Sequence, residues 1–271
     1  TQCSLGLLLA AAAPFAYAQN AVWLPAPGSG SVSLSYVSQD ADQFYIGGNL
    51  LSLPFGSIKV DTTTVGVQYG LTDALAVDAK LPYAKRTSGL GGDKGLGDAR
   101  LGLTWRALDE FSTPGAPTVS LRLGGIFAGD YETQRPDSIG DGASGYEASV
   151  LVGKYLTRAF ALRGELGLRV RSKEVPNETF VQVGADLRLA PGLTASAAYS
   201  VTRSSGSLDI GGPGFDPSKF QQVKEERDLV SVGLSYAVAR NVGLSANIGK
   251  ITNGRNTSKA DVFGLGVTVD F

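Results

Sequence analysis

The sequence predicts an all-β fold, a transmembrane antiparallel up-and-down β-barrel of about twelve strands, with ten or fourteen strands also possible. Beyond residue 30 the chain is a series of segments of about 8 to 13 residues in which apolar residues alternate with small or polar ones. The connections between these segments are alternately short and long. A third observation is that no segment approaches the run of about 20 apolar residues that a membrane helix needs, so only a closed barrel would satisfy the backbone in lipid.

The first part of the chain resembles an export signal. An apolar run from Leu5 to Ala13 is followed by Pro14 and the small-x-small triplet Ala16-Tyr17-Ala18. We therefore expect a cleaved signal peptide over residues 1–18. Residues 19–30, rich in proline and glycine, are expected to form a periplasmic or lumenal segment, and residues 31–271 the barrel.

The single cysteine, Cys3, precedes the apolar run, whereas a lipoprotein cysteine would follow it. We interpret Cys3 as an incidental residue of the signal. The mature chain would then hold neither a disulfide nor a thiolate metal site.

The alternation divides each predicted strand into two faces. In the fourth strand Leu101 and Leu103 share one face, while Arg100 lies on the other. One face of such a strand suits hydrocarbon and the other suits water or ion pairs. The predicted strands are residues 31–39, 62–69, 74–84, 97–107, 118–129, 145–155, 160–171, 177–189, 193–203, 226–238, 242–252 and 260–271.

The connections decide between a membrane barrel and a soluble sandwich. Tight turns at 70–73, 156–159, 190–192 and 239–241 and a moderate turn at 108–117 alternate with longer connections at 40–61, 85–96, 130–144, 204–225 and 253–259. In the longer series, 172–176 is the only short member. Short turns on one side and long loops on the other are typical of outer-membrane barrels, with both termini on the periplasmic side. Residues 44–53 could add a hairpin above the membrane, and the long loops 40–61 and 204–225 could fold inward.

The composition argues against catalysis. The chain has no histidine, which excludes the usual general base of membrane-barrel hydrolases. We predict that the protein is not an enzyme and has no cofactor and no metal site. A formal net charge of −1 does not indicate the basic surface that binding of nucleic acid needs. The glycine-rich stretch 89–97 lacks the spacing of a phosphate-binding loop and is interpreted as a mobile external loop.

The inward face carries the residues of functional interest, with eight cations against five anions. These candidates are expected either to close the interior by ion pairs or to line a passage whose arginine surplus favours anionic solutes. Residues 23–25 could enter the lumen as a plug. The predicted lumen-lining residues are Asp78, Lys80, Asp98, Arg100, Arg106, Arg122, Glu147, Arg163, Glu165, Arg169, Arg171, Asp186 and Arg188.

Several stretches together resemble the outer-membrane channel family of the meta-pathway of phenol degradation. The resemblance covers most of residues 31–271, and its most specific part is Gly95-Leu96-Gly97-Asp98 before an alternating strand. The other stretches are Tyr69-Gly70-Leu71-Thr72-Asp73, Leu81-Pro82-Tyr83, Gly129-Asp130-Tyr131, Ile139-Gly140-Asp141-Gly142 and the aromatic last strand. This resemblance implies an outer-membrane protein of a Gram-negative bacterium that helps small aromatic or hydrophobic compounds cross.

Three functions follow as expectations: a facilitator for small hydrophobic or aromatic solutes, a porin for polar or anionic solutes, and a closed structural or surface-interaction barrel. The expected partners are outer-membrane lipid, a small organic solute and, transiently, the β-barrel assembly machinery. The last strand resembles the signal that this machinery reads, through the alternating residues Phe263, Leu265, Val267, Val269 and Phe271.

Overall fold

The structure is a computed structural model that describes residues 22–54, 56–89, 91–133 and 138–271. The predicted signal peptide, residues 1–18, and Cys3 lie outside the described residues. Among the described residues, no helix has the length and apolar character needed to cross a lipid bilayer.

The chain forms a closed antiparallel barrel of twelve strands, as the sequence predicted. The barrel closes because β1 (Gly30–Ala41) pairs on one side with β4 (Ile58–Thr72) and on the other with β15 (Asp261–Asp270). Two consecutive strands, β6 (Gly91–Leu96) and β7 (Ala99–Leu108), pair with successive parts of β5 (Leu75–Ser88) and together make one barrel strand. The strands are β1 (Gly30–Ala41), β2 (Gln43–Ile46), β3 (Asn49–Ser52), β4 (Ile58–Thr72), β5 (Leu75–Ser88), β6 (Gly91–Leu96), β7 (Ala99–Leu108), β8 (Thr118–Phe127), β9 (Gly145–Tyr155), β10 (Phe160–Arg171), β11 (Glu178–Ala190), β12 (Leu193–Ser204), β13 (Glu226–Ala239), β14 (Val242–Arg255) and β15 (Asp261–Asp270).

The two faces of each strand meet different surroundings, as period-two alternation requires. On β7 and β8 the outward residues Leu101, Leu103 and Leu123 are 53%, 44% and 65% exposed, whereas the inward Thr104 and Arg122 are buried. Apolar side chains therefore cover the outer surface, and polar side chains fill the interior. This arrangement is the reverse of a soluble β-protein and suits a barrel surrounded by lipid.

Most connections on the side of the chain termini are tight, although residues 109–117 between β7 and β8 form a longer one, and the long connections 42–57, 128–144 and 205–225 lie on the opposite, extracellular side. Strands β2 and β3 form the hairpin that the sequence suggested above the membrane. The glycine-rich stretch was predicted to be a mobile external loop, and that interpretation is corrected: residues 91–96 form β6, which extends the barrel wall. A 3-10 helix, Pro217–Gln222, lies in the long connection between β12 and β13.

Candidate functional site

The centre of the barrel interior is a buried arginine on β8. Arg122 is 1% exposed and donates two hydrogen bonds to Asp78 on β5, from Nε to Oδ1 at 3.0 Å and from Nη2 to Oδ2 at 2.8 Å. Its Nη1 atom donates to Oε1 of Glu147 on β9. This arginine therefore ties three strands together with paired, charge-assisted hydrogen bonds.

Two glycines make room for that guanidinium. Gly102 and Gly124 are paired in register on β7 and β8, directly beside Arg122. A Cβ at Gly102 would collide with the Arg122 guanidinium and the Asp78 carboxylate, and a Cβ at Gly124 would lie 2.9 Å from Arg122 Nη1. The glycines therefore let the guanidinium lie flat against the wall.

A second arginine continues the network from Glu147. Arg169 on β10 donates from Nε to Glu147 Oε2 at 3.1 Å and from Nη1 to Glu178 on β11. The Arg169 guanidinium also lies 4.6 Å from the centre of the Phe180 ring, within the range of a cation–π contact. Arg100 is held more loosely, with Nη1 at 3.7 Å from Glu147 Oε2.

Other predicted lumenal residues make separate contacts. Arg163 donates from Nε to Asp186 Oδ2 at 2.8 Å, and Glu165 accepts a hydrogen bond of 2.7 Å from the Ser149 hydroxyl. Lys80 lies on the same face of β5 as Asp78 and opposite Arg100 in register.

Two predicted residues lie apart from this network. Arg106 donates to the carbonyl oxygen of Asp73, at the turn between β4 and β5. Arg188 is exposed near the turn that joins β11 and β12. Both residues therefore lie at the periplasmic rim.

A polar cluster lies at the extracellular mouth. Arg171 Nη2 donates to Asp98 Oδ2 at 2.7 Å, and the Tyr131 hydroxyl donates to Asp98 Oδ1 at 2.6 Å. Tyr131 belongs to the connection between β8 and β9, which also holds Asp141. Burial and the negative charge of Glu225 raise the pKa of the Asp141 carboxyl to about 7, against the opposing effect of Arg171.

The segment before β1 crosses the periplasmic mouth inside the barrel. The Ser120 hydroxyl on β8 donates to the carbonyl oxygen of Val22 at 3.2 Å, and the Trp23 indole donates to Glu110 at 2.9 Å. At the other end of the segment, Gly28 donates to the carbonyl oxygen of Gly70 on β4 at 2.9 Å. The segment therefore crosses the periplasmic mouth from β4 to β8 and β9.

The lipid-facing surface has an apolar groove of about 510 Å³ across β7, β8 and β9. Leu101, Leu103, Leu123 and Tyr146 form its sides, and Gly125 lies between Leu101 and Tyr146 in register. Since Gly102 and Gly124 also line it, only backbone separates the groove from the Arg122 network.

Sequence reasoning missed two carboxylates of the interior, Glu178 and Glu110. Glu178 shares the inward face of β11 with Asp186, so the alternation alone could have identified it. The contact between Trp23 and Glu110 joins residues that are 87 positions apart, and no local pattern indicates it. Among the described residues, no group of three or more His, Cys, Asp and Glu side chains could hold a metal ion.

In the last strand, Phe263, Leu265, Val267 and Val269 lie on the exposed outer face. Phe271 follows the strand, and its backbone exchanges two hydrogen bonds with Gly30, of 2.8 and 2.9 Å. The Phe271 ring stacks on Tyr69 with the ring centres 6.4 Å apart. These contacts help to close the barrel between its first and last strands.

A closed twelve-strand barrel with an apolar outer surface and a charged interior has the architecture of the outer-membrane channels. The chain belongs to the family described as "Putative MetA-pathway of phenol degradation", whose model matches residues 29–266. The resemblance seen in the sequence is thereby confirmed.

Solved structures share this fold. An outer-membrane channel from Pseudomonas putida F1 is 16% identical, with a TM-score of 0.76, over 94% of this chain and 100% of that chain. The KdgM porin is 10% identical, with a TM-score of 0.52, over 88% of this chain and 99% of the porin. The NanC porin is 9% identical, with a TM-score of 0.53, over 87% of this chain and 98% of the porin.

These three neighbours are channels and porins rather than enzymes. The comparison with curated proteins found no match.

Proposed function

We propose that this protein is a passive outer-membrane facilitator for small hydrophobic or aromatic organic solutes. Membership of the phenol-degradation family and the channel fold support a transport function. The observation that carries the choice of solute is the apolar groove of about 510 Å³ on the outer wall. The groove is shallow and open to lipid, so it offers an apolar surface where a solute can rest against the wall rather than an enclosed pocket.

The pairing of the interior charges supports the same choice. The three arginines Arg122, Arg163 and Arg169 each form a hydrogen-bonded ion pair with a carboxylate. An arginine neutralised in this way attracts a passing anion less than a free one would. The alternative, a porin for polar or anionic solutes, rests on the surplus of eight lumenal cations over five anions.

We also propose that residues 1–18 direct export and are removed, and that the assembly machinery recognises the outer face of β15. Both proposals rest on the sequence patterns described above. The crossing segment, residues 22–29, is proposed to narrow the periplasmic mouth, because it packs on inward residues of β8 and β9.

Filling the groove tests the proposed function. Gly125 faces lipid, and a Cβ there would meet only the movable Phe127 ring, at 3.1 Å. We expect Gly125→Leu to reduce uptake of a radiolabelled aromatic hydrocarbon by intact cells that express the protein. Gly164→Leu is the matched control, because Gly164 also faces lipid. A Cβ at Gly164 would be in ordinary van der Waals contact with the Gln182 carbonyl oxygen, at 3.6 Å.

The measurement compares the initial uptake rate of the two variants with that of the wild type, at equal amounts of folded protein in the outer membrane. Loss of uptake in Gly125→Leu alone supports the groove as the site of solute capture. Equal uptake in all three proteins, or uptake no faster than in cells that lack the protein, contradicts the proposal.

A further inference from the structure

One part of the barrel interior carries a single charged side chain among the described residues, Asp270 at the periplasmic end of β15. Apart from Asp270, the inward positions in the periplasmic half of β13, β14 and β15 are small or neutral: Ser231, Gly233, Ser235, Gly243, Ser245, Asn247, Gly264, Gly266 and Thr268. The charged residues described above lie on β5 and on β7 to β11, across the lumen. The lumen therefore has a charged wall and, across from it, a largely neutral wall formed by the nine residues above, which we call the neutral wall.

Three side chains on the neutral wall have polar atoms without a hydrogen-bond partner in the described part of the protein. They are Ser245 Oγ, Asn247 Nδ2 and Thr268 Oγ1. Asn247 and Thr268 are only 6% and 7% exposed, so leaving these polar atoms without a hydrogen-bond partner is costly.

These three side chains form one cluster. Ser245 and Asn247 are two residues apart on the same face of β14, which is a spacing of about 7 Å. Thr268 pairs in register with Gly243 on the neighbouring strand, so it is the diagonal neighbour of Ser245. A ring of benzene size would reach two of them at once.

Glycines give this cluster a flat surface. Gly264 is the register partner of Asn247, and Gly266 is that of Ser245. A Cβ at Gly264 would collide with the Asn247 amide. The missing side chain at Gly264 therefore makes room for the Asn247 amide to lie against the wall.

The crossing segment leaves this wall uncovered. Residues 22–29 contact β4 at Gly70 and contact β8 and β9 at Ser120 and Gly153. Because it crosses between those strands, the crossing segment divides the periplasmic mouth into a small part beside β5 and β7 and a larger part beside β10 to β15. The larger part contains the neutral wall.

We infer that Ser245, Asn247 and Thr268 form a lumenal binding subsite beside the larger part of the periplasmic mouth, for flat uncharged solutes that carry a hydroxyl or carbonyl group. The inference rests on the proposed channel function. It adds where in the lumen the solute binds and that the solute carries a hydroxyl or carbonyl group. The hydroxyl groups and the amide supply both donors and acceptors, and the charged wall across the lumen needs no rearrangement to admit a neutral ring.

The place of the subsite in the lumen is tested by cysteine modification in planar bilayers. Ser245→Cys on the neutral wall is compared with Ser120→Cys, which lies under Val22 and is 0% exposed. A bulky uncharged methanethiosulfonate reagent should reduce the ionic current of Ser245→Cys by about half or more, because the added group obstructs a narrow pore. The reagent should leave Ser120→Cys unchanged.

The subsite is tested by current block with resorcinol, a flat uncharged ring with two hydroxyl groups. Asn247→Ala should weaken the block about two- to tenfold, the effect expected for one neutral hydrogen bond. Asn253→Ala is the matched control on the same strand, where the amide donates to Asp228 at 3.3 Å, and its block should equal that of the wild type.

The outcomes separate this inference from the proposed function. A modified Ser245→Cys with unchanged current, a Ser245→Cys that the reagent never modifies, or an unaltered resorcinol block in Asn247→Ala overturns the subsite while the channel stands. If the folded wild type passes neither ions nor resorcinol, the proposed function itself fails and the subsite with it.

Discussion

Replacing Arg122 by alanine should destabilise the barrel more than any comparable change of a lumenal cation. The variant removes the two hydrogen bonds to Asp78, of 2.8 and 3.0 Å, and the bond to Glu147. Breaking a buried ion pair costs about 3 to 5 kcal/mol, because the remaining charge is left without its partner. Glu147 keeps Arg169 at 3.1 Å, so we expect the lower end, about 3 kcal/mol.

The assay is the free energy of unfolding by urea in lipid vesicles, followed by tryptophan fluorescence and gel mobility. Arg100→Ala is the matched control, because Arg100 is 24% exposed and contacts Glu147 at only 3.7 Å. Its loss should cost less than about 1 kcal/mol and should alter conductance instead.

A double variant provides a second check on the same reasoning. Removing Asp78 together with Arg122 eliminates the unpaired carboxylate, so the double variant should lose less stability than the sum of the two single variants. Equal stabilities of Arg122→Ala and Arg100→Ala, or strictly additive losses in the Asp78 and Arg122 cycle, would refute the account of the interior network.

Three further predictions concern the lipid face and the extracellular mouth. Leu103→Arg should cost about 2 to 4 kcal/mol in the same unfolding assay, because it places a charge in hydrocarbon, and a neutral effect would reverse the assignment of faces. Burial raises the pKa of the Asp141 carboxyl from its ordinary value of 3.8 to about 7, so the packing around Asp141 should weaken as pH rises through that interval. Equal amide protection factors over residues 138–144 at pH 5 and pH 8, each corrected for the intrinsic exchange rate at that pH, would contradict this. Asn256 has a φ of 50° and its side chain bonds Gly47, Asp209, Ile210 and Lys224, so Asn256→Ala should destabilise the docking of the β2–β3 hairpin locally by about 1 to 3 kcal/mol, and unchanged protease resistance of this hairpin would argue against it.

The membrane strands could be predicted from the sequence because the physical constraint acts on every second residue. Lipid on one face and a polar interior on the other force the alternation seen in Leu101, Leu103 and Arg100. The tight turns follow from hairpin geometry, so the number of strands and their order needed no long-range information.

The extracellular elements were harder to predict from the sequence, because their residues do not alternate between apolar and polar. Strand β6 contains Gly91, Gly92 and Gly95, and glycine is unfavourable in strands by composition. It is a strand because β5 offers a paired edge to it from Tyr83 to Ser88. This tertiary pairing outweighs the local preference of the glycine-rich sequence.

The sequence predicted which face of a strand each residue of the candidate site occupies, but not which residue it contacts. Alternation placed Arg122 and Glu147 inward, but the choice of Asp78 as the second partner depends on barrel stagger and on the space left by Gly102. The same limit applies to the neutral wall. Ser245 and Asn247 are unremarkable in sequence, and only the register that places them beside Thr268 and two glycines makes them a cluster.

The most direct test of the account is the ion selectivity of the refolded protein in a planar bilayer under a salt gradient. The account predicts a small conductance with a reversal potential close to that of an unselective pore, because Arg122, Arg163 and Arg169 are paired with carboxylates. A large conductance with strong anion selectivity would contradict it and would favour the arginine-lined porin.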